Sequence, residues 1–183
     1  MSDYISNSEV KAMKRNIDIR EDELAQIEEA WPLRAFDMPK YVRRWDEMGE
    51  AVGTNPVPVD EAFLEAIDSI CGPEGPGRVM EIGCGTGDHC FALARKAESV
   101  LGLDISPVLV DNCRRRCNEI GLKNTEFEVM DWFGIDMNNP LVKNGMDTVI
   151  VHYSPAVYSY PTFRTMVEAA KRAGVVSLEL NWS

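Results

Sequence analysis

The sequence predicts a three-layer α/β fold, an open and mostly parallel sheet with helices on both faces. Three observations carry that expectation. From about residue 60 onward, short apolar runs alternate with segments of helical period. Most of those runs are apolar throughout, as strands buried on both faces are. The first run leads into glycine at every second position, Gly83, Gly85 and Gly87, and a helical pattern follows at once. Glycine lacks a Cβ, so such a turn brings bare backbone close to a ligand, and the helix behind it offers unpaired N–H groups.

The elements follow in order. The part up to about Pro58 differs from the rest. It carries one acidic helical stretch from Ser6, where Ser6 and Glu9 fit a capping box, and another from Arg20 to Ala30, stopped by Trp31-Pro32. A third helix is expected from Pro39 to Ala51, with Tyr41, Val42, Trp45 and Met48 on one face. Residues 53–58 form a loop. The helix Asp60 to Cys71 turns Phe63, Ala66, Ile67 and Ile70 inward, and a glycine-rich turn feeds the first strand, Val79 to Ile82.

After the glycine turn, a helix is expected from Asp88 to Ala97 and a second strand from Val100 to Asp104. An acid at a strand tip about 20 residues past a glycine loop can accept hydrogen bonds from ribose hydroxyls, which makes Asp104 a candidate. Ser106 caps the next helix, Pro107 opens it and Gly121 ends it. Asp88 and Asp111 read as surface charges. The third strand runs from Thr125 to Met130 and closes with Asp131-Trp132-Phe133. The fourth, Asp147 to Tyr153, ends in His152, Tyr153 and Ser154. Chemistry in open parallel sheets sits beyond the carboxyl ends of the strands, so His152 and Tyr153 are the catalytic candidates. A last helix is expected from Pro161 to Ala173, capped by Gly174, followed by a fifth strand from Val175 to Leu180.

Composition narrows the function. One domain fits 183 residues, of which 45% are hydrophobic. The formal net charge is −11 and there is no basic stripe, so nucleic acid and anionic membrane are poor partners. No apolar run approaches the roughly 20 residues a membrane span needs. The five cysteines form no C-x-x-C pair, and Cys113 and Cys117 share one helix face, so buried thiols are expected rather than a metal site. A polar N-terminus without a secretory pattern and an odd cysteine count point to the cytoplasm.

The glycine spacing chooses between cradles. A dinucleotide fingerprint in this register needs glycine at position 88, which is Asp88, and a nicotinamide-dependent oxidoreductase is disfavoured on that ground. No Gly-Lys pair supports a phosphate loop. The remaining pattern, Glu81-x-Gly83-x-Gly85-x-Gly87 after a strand, resembles motif I of the class I S-adenosylmethionine-dependent methyltransferases. The resemblance covers Val79 to about Asn181. It implies a Rossmann-like sheet of order 3-2-1-4-5 and S-adenosylmethionine as cofactor, with S-adenosylhomocysteine as product.

It also implies roles. Gly83, Cys84, Gly85 and Gly87 would underlie the methionine part, and Glu81 would orient the loop or the ammonium. Asp104 and Ile105 would hold the ribose, and Asp131 and Trp132 the adenine, although Trp132 and Phe133 fit a core equally well. His152 would lie near the methyl, with Tyr153. Residues 1–58 would be a helical cap or lid and residues 59–183 the cofactor-binding core. Within that cap Tyr41 and Trp45 either line the lid or pack it down, while Trp31 and Phe36 pack it.

Family members usually continue into two more strands, forming a hairpin beside the fifth. Their absence would leave residues 175–180 on an open edge. That edge would form a homodimer, be covered by the N-terminal segment, or mark a truncated product. The expected function is methyl transfer to a small molecule; the alternative is a non-catalytic cofactor-binding or interaction module.

Overall fold

The structure is a computed structural model that describes residues 37–177 and, for the backbone, a two-residue strand at 12–13. The helical stretches expected from Ser6 and from Arg20 to Ala30, together with Trp31 and Phe36, lie outside the described residues. So does the end of the fifth strand beyond Ser177.

In chain order, the elements are β1 (Ala12–Met13), α1 (Met38–Val52), α2 (Glu61–Cys71), β2 (Arg78–Ile82), α3 (Asp88–Leu93), β3 (Ser99–Asp104), α4 (Pro107–Ile120), β4 (Thr125–Val129), α5 (Pro140–Asn144), β5 (Met146–His152), α6 (Tyr160–Ala169) and β6 (Ala170–Ser177). The sheet order is β1-β6-β5-β2-β3-β4. Five strands, β2 to β6, are parallel, which gives the expected order 3-2-1-4-5 counted from β2. β1 adds antiparallel to the outer edge, Ala12 opposite Val175 and Met13 opposite Gly174. Of the three expectations for that edge, coverage by the N-terminal segment is the one seen at these two positions.

Alternation along the strands divides the core into two layers. Val79 and Ile150 join Phe63, Ile67, Cys90, Val110 and Phe127 on one face. Met80, Val149 and Val151 join Leu103, Trp132 and Met166 on the other. Local signals set the helix starts. The Asp60 carboxylate accepts the Phe63 N–H at 3.1 Å to cap α2. The Ser106 hydroxyl accepts the Leu109 N–H at 3.2 Å to cap α4, and Pro107 follows it. Gly121, at φ +73°, closes α4.

Two boundaries differ from expectation. α3 ends at Leu93, and residues 94–97 turn back on it, Ala97 N–H reaching the Leu93 carbonyl at 2.9 Å. α6 stops at Ala169, and β6 starts at once, so Gly174 is a strand residue and not a helix cap. Ala170 pairs with Met146 and Ala173 with Thr148, and both alanines are buried. Burial and ladder bonds outweigh the helix preference of alanine, which amounts to only about 0.5 kcal/mol per residue.

The helix α1 lies on α4 at contact range. Gly49 is buried there, and a Cβ on it would sit 2.9 Å from Val108 Cγ1. The amide of Asn112 donates to the Gly49 carbonyl at 2.7 Å. This helix therefore docks on α4 through its backbone at Gly49, where a side chain would press on Val108 and Leu109.

Candidate functional site

Because β2, β3, β4 and β5 are parallel, their carboxyl ends meet along one edge of the sheet. A cavity of about 450 Å³ opens there. Its floor is the glycine turn, Glu81 to Thr86; its sides are Asp104 and Ile105 from β3, Met130, Trp132 and Phe133 after β4, and His152 to Ala156 from β5; Tyr41, Trp45 and Met48 of α1 cover it.

The floor exposes backbone to the cavity. The N–H groups of Gly83 and Cys84 both donate to the Leu103 carbonyl, at 2.7 and 2.9 Å, tying the turn to β3. Gly83, Gly85 and Gly87 all have positive φ, the region that favours glycine. Their surroundings differ. A Cβ on Gly83 would collide with the Ser154 side chain, and one on Gly87 would press on Cys113 Sγ and Phe127. A Cβ on Gly85 would meet nothing within 4 Å, because Gly85 faces open cavity. Gly87 does not line the cavity: its role is the turn itself and tight packing on the core.

Asp104 is fixed by the turn it faces. One carboxylate oxygen accepts the Gly85 N–H at 2.8 Å and the other the Ser106 N–H at 2.9 Å. Burial pushes its carboxyl above the usual range, against the backbone N–H groups of Ser106, Gly85 and Ile105. Each carboxylate oxygen retains accepting capacity toward a ligand.

Glu81 is buried beneath the turn at 1% exposure. It accepts the Cys90 thiol at 2.9 Å and lies 3.4 Å from His89 Nδ1. His89 Nε2 accepts the Asp60 N–H at 3.3 Å. Burial works against charge on His89, but the Glu81 hydrogen bond and the fields of Glu81, Asp60 and Asp88 prevail and raise its pKa. The His152 ring sits 4.6 Å from the His89 ring, 4.6 Å from Phe63 and 4.0 Å from Tyr153. Burial, then the neighbouring His89, lowers the His152 pKa to about 4, although Asp60 Oδ2 lies 3.8 Å from its Nε2. Tyr153 has φ +51°, the one non-glycine residue with positive φ among the described residues. Such a backbone costs a side-chain-bearing residue about 1–2 kcal/mol.

The structure thus brings together Glu81, Gly83, Cys84, Gly85, Asp104, Ile105, Trp132, His152 and Tyr153 around one cavity. Asp131 stands apart. It is exposed, and its carboxylate turns back to accept the Phe133 N–H at 2.9 Å. Trp132 is both wall and core: it is 2% exposed, and its indole N–H donates to the Thr162 carbonyl at 3.2 Å. Asp88, expected on the surface, is buried; it pairs with Arg116 at 2.6 Å and accepts the Thr86 hydroxyl at 2.6 Å. Asp111 is exposed and paired with Arg114. His89 and Asp60 were not expected at the site; a histidine directly behind the glycine turn, one of two in the chain, was the available signal. Cys84, Cys90 and Cys113 are buried with their pKa values pushed up, for Cys84 and Cys113 chiefly among neighbouring thiols and for Cys90 chiefly by burial. They are inert thiols at neutral pH. Among the described residues, no cluster of ligating side chains could hold a metal ion.

With this geometry established, comparison with known proteins decides the family. The family model described as a methyltransferase domain matches residues 74–179. The chain belongs to that methyltransferase family. It is 42% identical over 101 residues to the aklanonic acid methyltransferase of Streptomyces sp. (strain C5), an overlap of 54% of this chain and 42% of the relative. It is 31% identical over 122 residues to a 23S rRNA (uracil(1939)-C(5))-methyltransferase of Xylella fastidiosa, covering 67% of this chain and 26% of the relative. The chain therefore spans less than half the length of these two curated relatives. Among solved structures, magnesium protoporphyrin IX methyltransferase from Synechocystis PCC 6803 with bound S-adenosylmethionine shares the fold at a TM-score of 0.57, with 17% identity over 79% of this chain and 77% of that one.

Proposed function

We propose that this chain binds S-adenosylmethionine in the cavity and directs its methyl group to a small-molecule acceptor. The observation that carries the reading is the pairing of Gly85 with Asp104. A bare glycine faces open space, and a buried carboxylate is held beside it by that glycine's own N–H at 2.8 Å. This is a cradle for a nucleoside whose ribose needs an acceptor and whose tail needs backbone contact. The residues present fit that group.

When bound, S-adenosylmethionine supplies an activated sulfonium methyl and leaves as S-adenosylhomocysteine. The chain's own residues bind and orient. Glu81 sets a negative field beneath the turn, favourable to the ligand's cationic groups, and Asp104 with Ile105 holds the ribose. Met130 and Trp132 flank the adenine; Asp131 contributes through the turn it caps. Aligning reactants in this way lowers a barrier by roughly 7–11 kcal/mol in favourable cases. His152, neutral near pH 7, is able to take a proton from the acceptor, and Tyr153 stands beside it.

Relatives include enzymes of small molecules and of RNA. A formal charge of −11 supports the small molecule, since a phosphate backbone is drawn to basic surfaces. No helix among the described residues is long and apolar enough to cross a membrane.

Calorimetry with S-adenosylmethionine and S-adenosylhomocysteine tests the proposal. Both should bind with micromolar affinity, and S-adenosylhomocysteine should accumulate when an acceptor is present. A folded protein that binds neither overturns it.

A further inference from the structure

Among the described residues few large apolar side chains are exposed, and two of them, Val57 at 41% and Tyr153 at 50%, line the cavity. Both offer apolar surface to a molecule that enters the cavity. Tyr153 is held there at a cost: its backbone is in the left-handed region, and its ring lies 4.0 Å from that of His152. Strain of this kind persists where the surroundings over-determine it, and it clusters at ligand clamps. A glycine at position 153 would satisfy the backbone without strain but would remove the ring.

Carboxylates outnumber basic groups along the cavity. Asp60 lines the cavity with its side chain 35% exposed, and Glu81 lies beneath it. Among the described residues lining the cavity there is no lysine or arginine. The one basic group beside these acids, His89, already uses one ring nitrogen on Glu81 and the other on the Asp60 N–H, so an anionic group entering here would lose water and meet carboxylates without a free base to offset them.

We infer that Tyr153, Val57 and Asp60 form the acceptor subsite, and that the acceptor is a flat apolar molecule, neutral or amine-bearing, without a carboxylate or phosphate at the end that enters. Tyr153 is the specificity-determining residue, its ring a platform for the flat face. Asp60 rejects anions and favours an amine. The inference rests on the methyltransferase reading, since it needs the cofactor to occupy the glycine floor.

The test uses the full chain saturated with S-adenosylhomocysteine and three matched probes: 2-naphthol, 2-naphthylamine and 2-naphthoate. Dissociation constants are read by calorimetry. The naphthol and the amine should bind about tenfold more tightly than the acid. Tyr153→Gly should melt no lower than the parent and bind S-adenosylhomocysteine unchanged, yet lose about fivefold or more in affinity for naphthol. Asp60→Asn, which keeps the cap of α2, should narrow the gap between amine and acid. Equal binding of the acid, no binding of any probe, or a Tyr153→Gly variant that holds naphthol as well as the parent overturns the subsite. Failure of S-adenosylhomocysteine itself to bind is a different result and sinks the cofactor reading.

Discussion

The hydroxyl of Ser106 donates to Asp46 Oδ1 at 2.5 Å. One residue thereby joins three parts of the molecule. Its N–H holds Asp104, its oxygen caps α4, and its proton ties down α1, the helix carrying Tyr41 and Trp45 over the cavity. The helix over the cavity and the carboxylate that lines it share a single anchor.

Ser106→Ala removes the cap and the tether together. A lost cap costs about 1 kcal/mol and a lost side-chain hydrogen bond about as much again. Urea denaturation should show a loss of about 2 kcal/mol, and protease cleavage within residues 37–53 should become faster. Unchanged cleavage would separate the cap from the tether.

Asp104→Ala should weaken S-adenosylmethionine binding by about tenfold or more, since a buried acceptor of two backbone N–H groups disappears with the ribose contact. Calorimetry checks this. An unaltered dissociation constant would remove Asp104 from the site.

Gly85 and Gly87 should respond differently to alanine. Gly87→Ala forces a Cβ against Cys113 Sγ at 2.9 Å and Phe127 at 3.0 Å, a clash worth about 1–3 kcal/mol on top of the strain of φ +75°, about 1–2 kcal/mol, and should mainly cost stability. Gly85→Ala meets open space, bears only the strain of φ +54°, about 1–2 kcal/mol, and should lose the cofactor instead. Thermal melts with and without S-adenosylhomocysteine distinguish the two outcomes.

His152 gives a pH signature. Its folded pKa is lowered to about 4, while the unfolded chain protonates near 6.5. As pH falls between those values, the unfolded state takes up the proton first, so stability drops. The contribution is complete above about pH 6.5 and spent below about pH 4, about 3 kcal/mol in all. His89 acts in the opposite sense: with its pKa raised, it favours the folded state below the unfolded value and loses that contribution as pH climbs through the folded one. His152→Asn should therefore flatten the acid limb of a plot of Tm against pH, and proton NMR should place the two imidazole titrations on either side of the ordinary value.

The elements that sequence revealed are those with local punctuation. Asp60, Ser106-Pro107 and Gly121 announce helix ends through hydrogen bonds made within a few residues. Four of the five parallel strands were legible as apolar runs and the other, Thr125 to Val129, as an alternation of Phe127 and Val129 with Glu126 and Glu128, and their order followed from the resemblance to a known family. What escaped was decided by distant partners. Ala170 to Ala173 prefer helix by composition and become strand because β5 offers a ladder. Asp88 looks like a surface acid until Arg116, from the inner side of α4, closes on it. His89 blends into a helical pattern, and its role emerges only when Glu81 and Asp60 arrive on either side. Asp131 differs from these: its carboxylate is engaged locally, by the Phe133 N–H two residues on.

Four of the five thiols are buried, three of them packed under the glycine turn, and Cys71 alone, at the end of α2, is partly open to solvent. A maleimide dye added to the native protein should therefore settle on one position without mutagenesis. That position is outside the cavity, so a fluorophore there can follow ligand occupancy while leaving the pocket free.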